Sequence, residues 1–297
     1  MTIDRVASLD DRRLNPYRHL RTSNLTRFSG RFIAESRPLV ARLLASPLAV
    51  ESVLIDEKFL DEAITWIPEA VSMLVVPSDW ITQLVGFHFH RGYLGCGIRP
   101  EPLDWLQETR EGRLAAGENW TGAYLIGVQD PENMGSILRS CAAFGIEDVL
   151  IGPQCVDPFA RRVLRVSMGN AFKLKLYDAP EPVEALAAMH ELGIETVAAC
   201  LRDDSVELTQ WQRRDPTAVL LGNEAHGLPA AILDSVTQRV KISMALGTDS
   251  LNVSVAAGIF LHRARPHNPE SKEKKTTRNS KSLAVAIRSV SIEPASD

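Results

Sequence analysis

The feature that most constrains the fold is a regular alternation of short apolar runs and amphipathic segments over residues 122–263. The apolar runs have the length of strands, whereas the segments between them repeat apolar residues at helical spacing. Successive β–α units of this kind predict a parallel sheet that is covered by helices on both faces. We therefore expect an α/β fold for the C-terminal half of the chain.

A weaker alternation covers residues 31–100 and predicts a smaller α/β domain. The length of 297 residues suggests about two domains, at roughly 150 residues each. Residues 1–30 are polar and rich in arginine, so we expect them to contribute little to a core. The predicted organisation is a basic N-terminal extension (1–30), the small domain (31–100), a linker (101–119), the sheet domain (120–265) and a charged tail (266–297). We expect the tail to be disordered, because it has too few apolar residues for a core.

Composition and charge exclude several classes of protein. Hydrophobic residues make up 45% of the chain and charged residues 24%, which is ordinary for a globular protein and argues against a mainly disordered one. No apolar run approaches the roughly 18 residues of a membrane helix, and the first residues lack the apolar segment of a secretory signal. The net charge is −4, but both ends carry more basic than acidic residues, which is compatible with a nucleic-acid partner.

The cysteines and histidines give no indication of a metal site. Four cysteines lie far apart and are predicted to be small buried hydrophobes in a reducing cytoplasm: Cys96, Cys141, Cys155 and Cys200. His226 has no second ligand at useful spacing. We interpret His88 and His90 as surface or RNA-facing groups rather than zinc ligands.

Polar loops follow three of the predicted strands, and they read QDPENMGSILR, GNEAHGLP and SMALGTDSLN. Ligands of open parallel sheets bind beyond the carboxyl ends of the strands, so these loops are the candidate sites. Asp130 and Pro131 are suited to the start of a helix. Thr248, Asp249 and Ser250 are candidate N-caps for a helix that begins near residue 251. Taken alone, none of these features indicates a particular reaction.

Together, the three loops resemble motifs one, two and three of the SpoU (TrmH-type) RNA 2′-O-ribose methyltransferases in the SPOUT superfamily. The matching strings are NMGSILRSCAAFG, LLGNEAHGLP and ISMALGTDSLNVSVAAG, in the order of the family, and the resemblance covers about residues 120–264. The segment FIAESRPLVARLL resembles the start of the family's N-terminal substrate-binding domain, which is similar to ribosomal-protein-type RNA-binding folds. The resemblance also implies a trefoil knot in the sheet domain, which no periodicity of this sequence indicates.

The resemblance assigns roles to individual residues. It implies that five residues form the catalytic site: Asn133, Arg139, Glu224, Ser250 and Asn252. It implies that six hold S-adenosylmethionine: Leu221, Gly222, Ile242, Met244, Leu251 and Asn252. Because a guanidinium stays protonated, we expect Arg139 to bind an RNA phosphate and stabilise developing negative charge rather than act as a base.

The implied reaction is methylation of a ribose 2′-hydroxyl in ribosomal or transfer RNA by a cytoplasmic homodimer, without DNA, a membrane or a metal ion as partner. Two other functions are compatible with parts of the sequence. A non-catalytic RNA-binding protein could retain the same fold. An oxidoreductase on a Rossmann sheet would need G-x-G-x-x-G after the first strand of the sheet, whereas the strand at residues 123–128 leads into QDPENMGS.

Overall fold

The structure is a computed structural model that describes residues 3–20, 29–87, 89–101, 103, 111, 119–179 and 181–266. His88, most of the predicted linker and nearly all of the predicted tail lie outside the described residues. The described strands form two sheets, one in each half of the chain.

The N-terminal sheet has five strands: β1 (Ile3–Arg5), β2 (Arg31–Glu35), β3 (Val50–Asp56), β4 (Met73–Val76) and β5 (Tyr93–Ile98). Their order in the sheet is β1-β4-β3-β5-β2. Strand β4 pairs in parallel with β1 and β3, whereas β5 runs antiparallel to β2 and β3. The connecting helices are α1 (Arg37–Leu44), α2 (Leu60–Ala63), α3 (Ser78–Val85) and two 3₁₀ helices, Arg12–Tyr17 and Glu57–Phe59.

The expectation that residues 1–30 contribute little to a core is wrong. Strand β1 extends the sheet beside β4, and the 3₁₀ helix that follows buries Leu14 and Tyr17 completely. The Tyr17 hydroxyl donates a hydrogen bond to the backbone oxygen of Ser52, at 3.0 Å. Val6, Leu14, Tyr17 and Leu20 are buried in the cluster on this sheet, although the segment as a whole is polar.

The C-terminal sheet has seven strands: β6 (Thr121–Leu125), β7 (Asp148–Ile151), β8 (Lys175–Asp178), β9 (Glu195–Ala199), β10 (Val206–Glu207), β11 (Thr217–Leu221) and β12 (Gln238–Lys241). Their order is β10-β12-β9-β11-β6-β7-β8, and every pairing is parallel. The helices are α4 (Pro131–Ala143), α5 (Arg161–Val166), α6 (Pro182–Glu191), α7 (Ala230–Ser235) and α8 (Val253–Ala264), with a 3₁₀ helix at Asn170–Lys173. The predicted parallel sheet is therefore confirmed.

Successive residues of β6 point to opposite faces of this sheet, as strand geometry requires. Ala123 and Leu125 pack into the same cluster as α4 and α8, whereas Tyr124 packs with α6 and α7 on the other face. The prediction of helices on both faces is thus also confirmed.

The two sheets share one apolar cluster. The ring of Phe32, in β2, lies 5.0 Å from that of Phe159 and 5.6 Å from that of Phe172, measured between centroids. Arg99 donates to Asp157 at 2.8 Å beside this cluster. The division into domains at residues 31–100 and 120–265 stays a prediction, because the halves of the chain pack against each other through a continuous core.

Candidate active site

The polar loops identified in the sequence lie together at the carboxyl edge of the C-terminal sheet. Strands β6 and β11 are neighbours, so the loops that follow them meet directly. They enclose a cavity of about 930 Å³. Its lining includes residues from all three motifs: Asp130, Glu132, Asn133, Asn223, Glu224, His226 and Asn252.

A chain of hydrogen bonds joins the three motifs. The Asn133 side-chain amide donates to Glu224 Oε1 at 3.0 Å, and that of Asn252 donates to Asn133 Oδ1 at 3.0 Å. The backbone N–H of Asp130 also points at Glu224 Oε1, at 3.3 Å. Asn133 is buried although it is polar, and these bonds satisfy its amide. The network therefore holds Glu224, an exposed carboxylate, in a fixed place on the wall of the cavity.

The start of α4 positions Asn133. The Asp130 carboxylate accepts from the backbone N–H groups of Glu132 and Asn133, at 2.7 and 3.0 Å, and Pro131 occupies the first turn. This is the helix start that the sequence predicts. The cap places Asn133 in the first turn, close to the end of β6 and within reach of the second loop.

The conformation of the second loop depends on Gly222 and on Asn223. The resemblance names Gly222 but not Asn223. A Cβ atom at Gly222 would lie 2.5 Å from the carbonyl carbon of Gly227, so no larger residue fits there. The Asn223 side chain accepts from the N–H groups of Ala225 and His226, at 2.9 and 3.0 Å, and donates to the backbone oxygen of Gly127 at 2.8 Å. Asparagine at the start of a turn often forms such hydrogen bonds to its own loop, and this preference could have identified Asn223 from the sequence.

The third loop ends at a different cap from the one expected. Asn252, rather than Thr248, Asp249 or Ser250, caps α8, since its Oδ1 accepts from the backbone N–H of Ser254 at 2.8 Å. The predicted cap is wrong because the chain stays extended for two residues longer. The oxygen of the Asn252 amide thus caps the helix, while its nitrogen donates to Asn133.

A second, smaller cavity of about 350 Å³ lies on the other side of the second loop. Five of the six residues that the resemblance assigns to the cofactor line it: Leu221, Gly222, Ile242, Met244 and Leu251. The sixth, Asn252, lines the larger cavity instead. Ser250 and the half-buried Cys200 also face the smaller cavity. Residues 223–227 line both cavities and form the wall between them.

The structure does not bring Arg139 into this network. Its side chain is exposed on α4, lines neither cavity and has no hydrogen bond or ion pair with any described residue. Six positions separate it from Asn133, and such a spacing places two residues on different faces of a helix. Glu132 shares a face with Arg139 but pairs with Arg162.

Comparison with known proteins identifies the family. A profile of the SpoU rRNA methylase family matches residues 123–262. A relative from Mycobacterium bovis, named as an uncharacterized tRNA/rRNA methyltransferase, is 33% identical over 285 residues, which cover 89% of this chain and 93% of the relative. The chain belongs to the SpoU methylase family.

Two solved structures of RNA methyltransferases have the same fold over most of this chain. The rRNA methyltransferase from Sinorhizobium meliloti, solved with bound AdoMet, has a TM-score of 0.74 at 24% identity and covers 88% of this chain and 97% of its own. A structure named RNA 2′-O ribose methyltransferase has a TM-score of 0.67 at 25% identity, with 88% and 98% covered. The likeness therefore extends beyond the profile match to the N-terminal sheet.

The charged residues around the candidate site are mainly acidic. The charged residues that line the larger cavity, among those described, are the carboxylates Asp130, Glu132 and Glu224, with His226 beside them. Among the described residues, those of this cavity included, no group of three or more His, Cys, Asp or Glu side chains is arranged to hold a metal ion. Every helix of that part also falls short of the length and hydrophobicity needed to span a bilayer.

Proposed function

We propose that this SpoU protein transfers a methyl group from S-adenosylmethionine to a ribose 2′-hydroxyl in ribosomal or transfer RNA. The observation that carries the proposal is the pair of adjoining cavities that share residues 223–227 as a wall. Five of the six residues assigned to the cofactor line the smaller cavity, and the hydrogen-bonded residues Asn133, Glu224 and Asn252 line the larger one. The AdoMet bound in the Sinorhizobium meliloti structure, and the likeness to a structure named RNA 2′-O ribose methyltransferase, support the same function.

The smaller cavity fits a cofactor of this kind. Its volume of about 350 Å³ falls within the range of small-molecule sites, roughly 300–1,000 Å³. Leu221, Ile242 and Leu251 supply apolar surface for a flat heterocycle, and the loop around Gly222 presents backbone groups for hydrogen bonds. When bound, S-adenosylmethionine supplies an electrophilic methyl group on a sulfonium centre.

The chain's own residues then have mainly to orient the RNA hydroxyl and manage its proton. Asn133 and Asn252 fix the Glu224 carboxylate at the wall between the cavities, where it can accept a hydrogen bond. Arg139 acts from outside the network, by binding an RNA phosphate. Ser250 faces the smaller cavity and contacts the cofactor side of the site.

The proposal includes the assembly and the chain path that the family resemblance implies. A homodimer would cover Val255 and Ile259, two apolar side chains that α8 exposes by 51% and 41%. The trefoil knot in the sheet domain is proposed on the family resemblance alone.

The test combines binding with product analysis. Calorimetry should show that the protein binds S-adenosylmethionine but not NAD, and that Gly222→Ala abolishes this binding because the added Cβ has no room. Incubation of ribosomal and transfer RNA with methyl-labelled cofactor, followed by digestion to nucleosides, should yield a 2′-O-methyl nucleoside. Label on a base would refute the ribose assignment, and RNA binding without cofactor binding would favour the non-catalytic alternative.

A further inference from the structure

The described residues that line the larger cavity provide no positive charge to bind RNA phosphates. Its charged residues include the carboxylates Asp130, Glu132 and Glu224, whereas no described Lys or Arg lines it. An RNA chain that places a ribose there brings phosphates with it, and like charges repel. Cations just outside the cavity must therefore hold the RNA backbone.

Helix α5 supplies cations at the right place. It contains three arginines and no acidic residue: Arg161, Arg162 and Arg165. It packs closely on α4, since a Cβ at Gly135 would lie 2.7 Å from the Cβ of Val166 and 2.9 Å from the backbone oxygen of Val163. The basic helix therefore lies directly against the helix that carries Asn133.

Arg162 lies at the rim of the cavity. Its side chain is 54% exposed and forms an ion pair with Glu132, which itself lines the cavity and is 60% exposed. An exposed pair of this kind is weak in water, because both partners remain solvated. A phosphate that approaches the rim can therefore take the place of the Glu132 carboxylate on Arg162.

Arg161 extends the positive surface towards the N-terminal sheet. Its guanidinium lies 4.8 Å from the centre of the Phe87 ring and 3.8 Å from Glu35 Oε2. Arg91, which is 47% exposed, approaches the other oxygen of the same buried carboxylate at 3.9 Å. Two arginines thus share one carboxylate, and Arg161 keeps a buried N–H without a hydrogen-bond partner. Their positive charge is only partly compensated.

We infer that Arg162, Arg161 and Arg91 form a phosphate-binding strip that guides RNA from the N-terminal sheet to the larger cavity. The inference rests on the proposed function for its substrate, an RNA strand. Arg162 contacts the phosphate nearest the cavity, and Arg91 contacts one further along the strand. Arg161 lies between them and is fixed by Glu35 and Phe87, so it contributes mainly a positive field.

The experiment measures RNA binding without cofactor, with a fluorescein-labelled 20-nucleotide oligouridine as probe, by anisotropy at several salt concentrations. Arg162→Ala and Arg91→Ala should each weaken binding about tenfold at low salt, since each removes a charge-assisted phosphate contact. Each should also lower the slope of log Kd against log salt by about 0.7, the value for one phosphate on a single strand. Glu132→Gln should instead tighten binding, because it removes the competing carboxylate.

Arg214→Ala is the matched control, since Arg214 is exposed and precedes β11, at the opposite edge of the sheet from the cavity. Cofactor affinity, measured by calorimetry, should be unchanged in all four variants, because none of the substituted residues lines the smaller cavity. If Arg162→Ala and Arg91→Ala bind the probe with the affinity and salt slope of Arg214→Ala, the strip is refuted. If the strip variants lose binding but the wild type methylates no RNA, the strip stands and the proposed function fails.

Discussion

At the scale of single residues, Arg139 presents a conflict between its proposed role and its position. Replacing it with alanine should leave cofactor affinity nearly intact, because Arg139 lines neither cavity. Turnover should fall by roughly 10²–10³, as for the loss of one group that stabilises developing negative charge. Arg139→Lys should restore little, since an ammonium cannot reproduce bidentate phosphate geometry.

Single-turnover methylation at saturating RNA, with calorimetry of the cofactor, would measure both effects of the Arg139 variants. A rate for Arg139→Ala close to that of the wild type would remove Arg139 from the active site. Catalysis would then depend on the network of Asn133, Glu224 and Asn252.

The cysteines offer a second test at this scale. Burial raises the pKa of the Cys141 thiol to about 12, so that thiol stays protonated and unreactive at neutral pH. Cys200 is only partly buried and faces the smaller cavity. We expect maleimide to label Cys200 before Cys141, and S-adenosylmethionine to slow the labelling of Cys200. Peptide mass spectrometry would show this, with Cys200→Ser as the blank. Labelling of Cys200 at an unchanged rate in saturating cofactor would place the cofactor elsewhere.

At the scale of elements, the N-terminal 3₁₀ helix should contribute measurably to stability. Leu14 is completely buried among the residues of the N-terminal sheet, so Leu14→Ala should lower the free energy of unfolding by roughly 2–5 kcal/mol. The exposed neighbour Arg12 provides the control, and Arg12→Ala should change it by less than about 0.5 kcal/mol. Urea unfolding would measure both variants. Equal midpoints would mean that this helix is dispensable.

The sequence predicts an element well when residues within the element itself determine where it starts, and poorly when contacts with distant residues do. The start of α4 follows from Asp130 and Pro131, and the structure has it as predicted. The start of α8 does not follow in this way, because four of the five residues at positions 248–252 can cap a helix, and the contact with Asn133, which is distant in sequence, favours Asn252. The burial of Tyr17 depends on a partner 35 residues away in sequence, which no local pattern contains.

The candidate site likewise combines residues that the sequence identifies with others that only the structure reveals. The resemblance named Asn133, Glu224 and Asn252, and the structure joins them by hydrogen bonds. Asn223 was missed because its role lies in bonds to its own loop and to Gly127 rather than in a family motif. The order of the strands, which brings the loops together, depends on pairings between distant segments and so could not be read from periodicity.

At the scale of the whole molecule, the proposed homodimer makes a direct prediction. Val255 and Ile259 are four positions apart and share one face of α8, where they are 51% and 41% exposed. Sedimentation should give about twice the chain mass of 32.7 kDa, and Val255→Glu should shift the protein towards the monomer because a charge would be buried in the interface.

Val183→Glu serves as the control for the assembly, since Val183 is 55% exposed on α6, which packs on the other face of the sheet. It should leave the mass unchanged. A wild-type monomer that methylates RNA would refute the dimer, and equal effects of both substitutions would show that α8 is not the interface.

The single loop between the two cavities has a consequence for the order of events during a reaction. Residues 223–227 form a wall that has two sides, so a ligand that shifts this wall from one side reshapes the space on the other. Thermodynamic linkage then requires reciprocity: the factor by which one ligand changes the affinity for the second equals the factor in the reverse direction. The demethylated cofactor and the methylated RNA would accordingly change each other's affinity by one common factor, transmitted through these five residues.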